Sequence, residues 1–436
     1  MGPTFPIQSL PPAAASSPGA PARIESGQTP NAPLQGEKVA PKVVPSVVPS
    51  VPYPASAPSL TGAPTREPAK AKETIAPTDD PQSDRHPPVL EYLRFDPPEI
   101  QDGGVTVFSV GATDDLSGVR SVFGTVRSPS GAAVVPFAAQ DAAGSGVLSA
   151  KIVIPLHAET GDWFVWTLQI VDKAGNPLIL AFAKTTVPPG GAVRVFSADS
   201  DSTAPDVHGV SIDKRTVGAG ERTQIVVDVD DDRSGVASVT GMFESPSKAA
   251  FIPFNCRPNG EVSWMGDVQI PANADCGEWT LRQLRVADKA NNTAFLTSDS
   301  PQVGRVSFVV SGGGACDSDP PFIDAMSVSP AIVSNASPTE VILTITAHDE
   351  GSGVASLSGR YEGPVSSSGQ VPRIFFACAP DPKNPDAPMT ARISVPQFAA
   401  KGIWRVSLLQ ILDKARNTRS YNSNDPALVN ASFTVE

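Results

Sequence analysis

Long apolar runs are missing from this chain, and so is any excess of positive charge. No stretch approaches the roughly 20 consecutive apolar residues that a membrane-spanning helix needs. Lys and Arg number 33 against 45 Asp and Glu, a net charge of −12. No basic run interleaved with aromatics is present to neutralise phosphates, which excludes a nucleic-acid partner. The acidic balance by itself implies solubility and little else. Cysteine and histidine are scarce, with four of each. No Cys-x-x-Cys occurs, which removes the usual zinc and redox patterns. His86, His157, His208 and His348 form no paired metal motif. A G-x-S-x-G elbow and a phosphate-cradling Gly-rich loop are also lacking. The expectation is therefore a protein that is not an enzyme, with no catalytic residues and no organic cofactor.

The first residues, Met-Gly-Pro-Thr-Phe-Pro, have neither a basic n-region nor an apolar h-region, so no signal peptide is recognised there. Three readings stay open: a cytoplasmic protein, a start that is truncated or misassigned, or export by another signal.

Proline is abundant, and it is unevenly spread. Over residues 1–86 it supplies roughly one residue in five, as in Pro41-Lys-Val-Val-Pro45-Ser-Val-Val-Pro49. Proline fixes φ and removes a donor, so neither helix nor ladder propagates, and too little apolar surface clusters to offset chain entropy. The expectation for 1–86 is a disordered Pro/Ala/Ser-rich arm, extended in the polyproline-II manner and acting as a semi-rigid spacer.

After the arm one pattern occurs three times. An acidic, Pro-containing entry leads to Asp114-Asp-Leu-Ser-Gly-Val119, Asp231-Asp-Arg-Ser-Gly-Val236 and Asp349-Glu-Gly-Ser-Gly-Val354. Each copy then has Gly-x-Trp (Trp163, Trp279, Trp404), and nine residues later Asp-Lys-Ala-x-Asn, starting at Asp172, Asp288 and Asp413. The tryptophans stand 116 and 125 residues apart, one domain each. This divides the chain into repeat 1 (87–198), repeat 2 (203–312) and repeat 3 (319–436).

Within a repeat the period is two. Ile225, Val227 and Val229 alternate with polar or outward neighbours, and Phe108, Val110, Ala112 and Leu343, Ile345, Ala347 take the matching places. Gly, Pro, Asp and Asn punctuate the sequence every 8 to 12 residues. About seven short strands in some 110 residues indicate an all-β sandwich. On the tryptophan strand the inward phase slips once (Trp279, Leu281, Leu284, Val286), which predicts a β-bulge just after the second of these positions.

The signature Asp-Asp-x-Ser-Gly-Val with Gly-x-Trp and Asp-Lys-Ala-Gly-Asn resembles the bacterial Ig-like repeats of secreted and cell-surface proteins. Repeat 1 carries Asp172-Lys-Ala-Gly-Asn176 in full, while repeats 2 and 3 depart from it with Asn291 and Arg416. The resemblance implies three tandem Ig-like or fibronectin-III-like β-sandwiches, an extracellular or cell-surface location and a spacer, adhesin-like or accessory role. It brings no catalytic residues.

Parity turns one aspartate of each Asp–acidic pair inward, and likewise the Asp that ends the tryptophan strand. Asp114 with Asp172, Asp231 with Asp288, and Asp349 with Asp413 should then converge at the pole where the chain enters. Two readings are open. One is a Ca²⁺ site at each pole, completed by Asn176, Asn292 or Asn417 and by entry-linker residues, which would stiffen the joint to the preceding domain. The other is that each Asp accepts backbone N–H bonds in its own loop. The three tryptophans, in phase on a core strand, read as packed core rather than as a sugar-stacking platform. Cys256 and Cys276 either bridge strands of repeat 2 or are free thiols, and Cys316 is the one partner outside that repeat open to Cys378.

The functional expectation is a monomeric, extended array of Ig-like domains on a Pro-rich stalk. The alternative is a carbohydrate- or protein-binding accessory module, which exposed aromatics on one sheet face would favour. The longer loops of repeat 3, from Val371 to Met389, single it out as the copy with a private partner.

Overall fold

The computed structural model describes residues 82–140, 147–312 and 316–436. The expected arm therefore lies outside the described residues up to residue 81. The described residues are all-β apart from one short 3-10 turn, Pro426–Leu428.

In repeat 1 a three-stranded sheet (Val89–Asp96, Val105–Thr113, Val147–Val153) faces a larger one. The larger sheet runs in the order Glu99–Gln101, Ala192–Phe196, Gly161–Asp172, Val119–Arg127, Val134–Gln140. Repeat 3 has the same two sheets, built on Phe322–Ser329, Thr339–His348 and Met389–Val395, and on Gly402–Asp413 with its neighbours. In repeat 2 the strands Phe251–Pro258 and Ser263–Gln269 also pair, which joins the two sheets into one nine-stranded sheet around the core. Three separate apolar cores result, one per repeat.

The period-two pattern has the expected consequence: Phe108, Val110, Ile225, Val227, Val229, Leu343 and Ile345 are all fully buried. Trp163, Trp279 and Trp404 have no exposed surface, and each indole N–H donates to a carbonyl four residues back (Glu159, Asp275, Ala400). That bond lets a large amphipathic ring be buried without an unpaired donor. The expected bulge falls at Trp166, Arg282 and Ser407, the third residue after each tryptophan. It marks the point where the strand changes neighbours. Gly161–Phe164 pairs with Ala192–Val195, and Thr167–Val171 with Pro177–Ala181. One extra residue gives the added twist that such a change of partner requires.

The repeats are not strung out. Ahead of each one stands a linker aspartate, Asp84, Asp201 or Asp317, whose backbone N–H donates to a different repeat. Asp201 bonds the carbonyl of His157 in repeat 1 (2.8 Å), and Asp317 that of Asn273 in repeat 2 (3.1 Å). Asp84 bonds the carbonyl of Phe398 in repeat 3 (2.9 Å). These three carbonyls occupy the same place in their repeats, so the last repeat is docked to the entry of the first, and the three close into a ring. This corrects the expectation of an extended array. It also corrects the end of the arm, because residues 82–86 are fastened to repeat 3. The backbone N–H of Lys401 donates to Ser83 Oγ (2.9 Å), and the Arg85 guanidinium donates to the carbonyl of Lys401 (2.7 Å). The N–H of Ser367 donates to the carbonyl of Arg85 (3.1 Å).

The cysteines also resolve differently. Cys276 is bonded to Cys316, with Cα atoms 5.5 Å apart, while Cys256 and Cys378 are free. Cys256 lies in mid-strand against Gly266 of the neighbouring strand, away from Cys276. Cys276 sits at the pole just before the tryptophan strand, beside the linker that carries Cys316. Burial pushes the Cys256 thiol up to about 12 and the Cys378 thiol to about 11, so both stay protonated. No helix of the described residues is long and apolar enough to cross a membrane.

Candidate metal centres at the repeat junctions

The inward aspartates meet at the poles, and the linker brings a third carboxylate to each. In repeat 1, Asp84, Asp114 and Asp172 each place an oxygen within 4.8 Å of the other two. Asp317, Asp349 and Asp413 do the same at repeat 3. At repeat 2 the set is Asp201, Asp231 and Asp232, and Asp288 adjoins it closely enough for the charges of Asp201 and Asp231 to act on it.

Each carboxylate divides its two oxygens between different tasks. Asp114 Oδ2 accepts the backbone N–H of Gly118 at 2.7 Å, Asp231 Oδ2 that of Gly235 at 2.7 Å, and Asp349 Oδ2 that of Gly353 at 2.7 Å. The Gly in each Ser-Gly-Val has φ between 81° and 87°, the left-handed region in which a Cβ is costly. The other oxygen of Asp114 and of Asp231, Oδ1, is buried without a hydrogen-bond partner among the described residues. The two sequence readings of these aspartates are therefore not exclusive. One oxygen caps the loop and the other is left over, which costs free energy unless a cation or donor meets it.

The Asp of Asp-Lys-Ala-x-Asn is built alike. Asp172 Oδ1 accepts the N–H groups of Gly175 (2.6 Å) and Asn176 (2.8 Å), and its Oδ2 accepts Asn176 Nδ2 (2.8 Å). Asp288 with Asn292 and Asp413 with Asn417 repeat the two asparagine bonds to within 0.1 Å, while the N–H groups of Asn291 and Arg416 donate to the Asp288 and Asp413 main-chain carbonyls. Asn176, Asn292 and Asn417 are completely buried. Each directs Nδ2 at the carbonyl of its linker aspartate, Asp84, Asp201 or Asp317. Each also leaves Oδ1 with no partner among the described residues. A half-turn of the amide would put that oxygen among the carboxylates.

Electrostatics point the same way. Burial, followed by the charge of Asp84, raises the Asp172 carboxyl to about 8. Burial chiefly raises Asp288 and Asp413 to about 6 each, with Asn292 and Asn417 acting against it. Asp84 is raised as well, again by burial first. Three clustered, desolvated carboxylates cannot all carry charge without a compensating cation. Carboxylate and amide oxygens form the hard, irregular donor set that Ca²⁺ accepts and Zn²⁺ does not favour.

The linker aspartates are the site residues that sequence reasoning passed over. Their signal was present: Asp84, Asp201 and Asp317 each stand three or four residues before a proline of the repeat entry. All nine expected residues lie at the three poles. Asp114 and Asp172, and Asp349 and Asp413, are brought within one set, whereas in repeat 2 Asp232 takes the third place in the set and Asp288 stands beside it.

Comparison with family models and with curated protein sequences matches nothing. Among solved structures the chain is similar to the tetra-tandem repeat in the extending region of a large adhesion protein. The identity is 15%, over 80% of this chain and 73% of that one, with a TM-score of 0.20. At that score neither arrangement nor role transfers, and the description of the chain as three tandem β-sandwich repeats rests on its own sheets and cores.

Proposed function

We propose that this protein is a non-enzymatic, monomeric array of Ig-like sandwiches whose junctions are locked by Ca²⁺ at the three poles. The observation that carries this reading is the double attachment of each linker aspartate. Its backbone N–H is held by one repeat and its carboxylate faces the acidic cluster of the next. A cation there ties two repeats through a single residue, so occupancy stiffens the joint rather than one domain alone. The ligands are Asp84, Asp114, Asp172 and Asn176; Asp201, Asp231, Asp232, Asp288 and Asn292; and Asp317, Asp349, Asp413 and Asn417. An extracellular or surface location fits the Cys276–Cys316 bridge, since such bonds persist in oxidising compartments.

The test is thermal unfolding of the full chain in excess Ca²⁺ and in chelator. A ligand that binds only the native state adds about 2.7 kcal/mol at 100 times its Kd, which is a rise of several degrees in Tm. Asp172→Asn, Asp288→Asn and Asp413→Asn keep one oxygen to accept the loop N–H groups but remove the charge and the acceptor of the Asn176, Asn292 or Asn417 side-chain amide, and each should delete about a third of the calcium-dependent rise. A Tm that is equal in calcium and chelator would reduce all the aspartates to loop caps.

A further inference from the structure

A second site lies where repeat 3 meets repeat 1. A cleft of about 410 Å³ opens there between Arg120, Phe123 and Gln169 of repeat 1 and Val371, Arg373 and Phe375 of repeat 3. The volume falls within the roughly 300–1,000 Å³ of small-ligand sites. No acidic side chain lines it, in a chain whose net charge is −12. The Arg120 side chain makes no hydrogen bond or ion pair among the described residues, and it is exposed. Arg373 commits only Nε to Glu362 (3.0 Å). Phe375 is 72% exposed and Phe123 41%, an arrangement that water penalises unless something covers it.

Internal comparison shows that this cleft is not simply what the repeat builds. Gly124, Gly241 and Gly359 pair with Phe137, Phe254 and Phe376 in the three repeats, which fixes the correspondence. Where repeat 1 has Arg120 and Phe123, repeat 2 has Ala237 and Thr240, and repeat 3 has Ala355 and Ser358. Where repeat 3 has Arg373 and Phe375, repeat 1 has Val134 and Pro136, and repeat 2 has Phe251 and Pro253. Two cations and two rings therefore depart from the common pattern in two repeats about 250 residues apart, and all four line one cleft. Gly175 keeps its floor open. At the junction of repeats 1 and 2 the matching Asn291 fills the space and donates to the carbonyl of Val134.

We infer that this cleft binds an acidic saccharide, one carrying a uronate-type carboxylate. The Arg120 guanidinium offers a planar fork to the carboxylate. The Gln169 amide serves the ring hydroxyls, and the negative faces of Phe123 and Phe375 take the C–H face of a pyranose. A peptide is the competing occupant. The strands Val119–Arg127 and Gly161–Asp172 of repeat 1 are paired on either side, but Arg373–Cys378 of repeat 3 ends its sheet, so a peptide belongs in the test. None of the cleft's lining residues is a proposed calcium ligand, and the test holds calcium in excess so that the closing junction stays in one state.

The full chain, held in excess calcium, is titrated with digalacturonate, with neutral galactobiose and with an acidic, Phe-containing peptide, and followed by calorimetry and saturation-transfer NMR. Digalacturonate should bind, galactobiose should bind at least about tenfold more weakly, and Arg120→Ala and Phe375→Ala should each cost about tenfold or more. Both side chains are exposed, so unchanged Tm in the variants certifies their folding. No digalacturonate binding, equal binding of the neutral sugar, preference for the peptide, or indifference to both substitutions would each overturn the assignment. Because calcium is present throughout, failure here leaves the metal reading untouched, and failure of the chelation experiment leaves this one untouched.

Discussion

Two junctions of the ring are made within the continuous chain, and the third is made by its closure. The first two are sealed by backbone. An isolated antiparallel bridge joins Ala133 to Asn292 between repeats 1 and 2, and another joins Ala250 to Asn417 between repeats 2 and 3. At the second of these, the N–H of Thr418 also donates to the carbonyl of Ala249 (2.8 Å). At the closing junction Pro372 takes the place of Ala133 and Ala250, and Pro177 the place of Thr293 and Thr418. Pro177 has no N–H to offer where Thr418 donates, whereas the N–H groups of Ala133 and Ala250, at the place of Pro372, are turned to Ser128 Oγ and Ser245 Oγ of their own repeats. No bridge joins repeats 3 and 1 among the described residues. A cleft stands in its place, and residues 82–86 supply the hydrogen bonds from outside the sandwiches. The same fold, repeated three times, thus yields two sealed interfaces and one open one, and the missing amide hydrogen of Pro177 is part of the difference.

The largest effect expected from that contrast comes from removing residues 1–86. Without Ser83, Asp84 and Arg85 the closing junction loses its hydrogen bonds to Phe398, Lys401 and Ser367 and one carboxylate of its cluster. The ring should open at that one place. Small-angle scattering should report a larger radius of gyration, and a fluorophore pair on repeats 1 and 3 should separate while a pair on repeats 1 and 2 does not. Equal distances in both pairs would mean that residues 82–86 are not the clasp.

A middle-sized effect concerns pH in the presence of chelator. The carboxyls of Asp172, Asp288 and Asp413 are raised above the ordinary value of 3.8. The folded state therefore holds protons that the unfolded state has released, and stability falls as pH rises. The loss begins above about pH 4 and is complete near pH 6 for Asp288 and Asp413, but only near pH 8 for Asp172. Chelated protein should lose Tm from about pH 4 to 6 at all three junctions, and from about pH 6 to 8 at the closing one alone. Excess calcium should flatten the upper limb. A Tm that rises with pH in chelator would contradict the burial of these groups.

The smallest effect is expected from Pro177→Thr, which restores the donor that Thr418 supplies at the junction of repeats 2 and 3. One added backbone hydrogen bond is worth about 1 kcal/mol. The closing junction should gain in hydrogen-exchange protection, and saccharide binding in the cleft should weaken as the seam narrows. Unchanged protection would show that Pro177 follows from the open junction rather than causes it.

Much of this was legible in the residues. The period-two runs fixed which face of each strand is buried, and the phase slip on the tryptophan strand located the bulge to the residue. The converging aspartates followed from parity alone, since both kinds continue a core-facing alternation to its end. Asp84, Asp201 and Asp317 were harder to see because they lie in no periodic element. Their place is set by one backbone bond to the preceding repeat. The Cys276–Cys316 bridge was missed for a related reason. Strand parity governs Cys256 and Cys378, whereas Cys276 and Cys316 sit at a pole where loops meet.

The sequence by itself determined the three sandwiches, their cores and the acidic poles, because each depends on alternation and turn chemistry within about 110 residues of chain. The tertiary structure alone decided that the repeats close on one another. It also decided that each pole takes its third carboxylate from a linker, and that Arg120 and Phe375 share a cleft. The closure and the cleft depend on contacts between residues about 250 to 320 positions apart. Each linker aspartate is placed by a carbonyl of another repeat, and no local pattern encodes which carbonyl a linker amide will find.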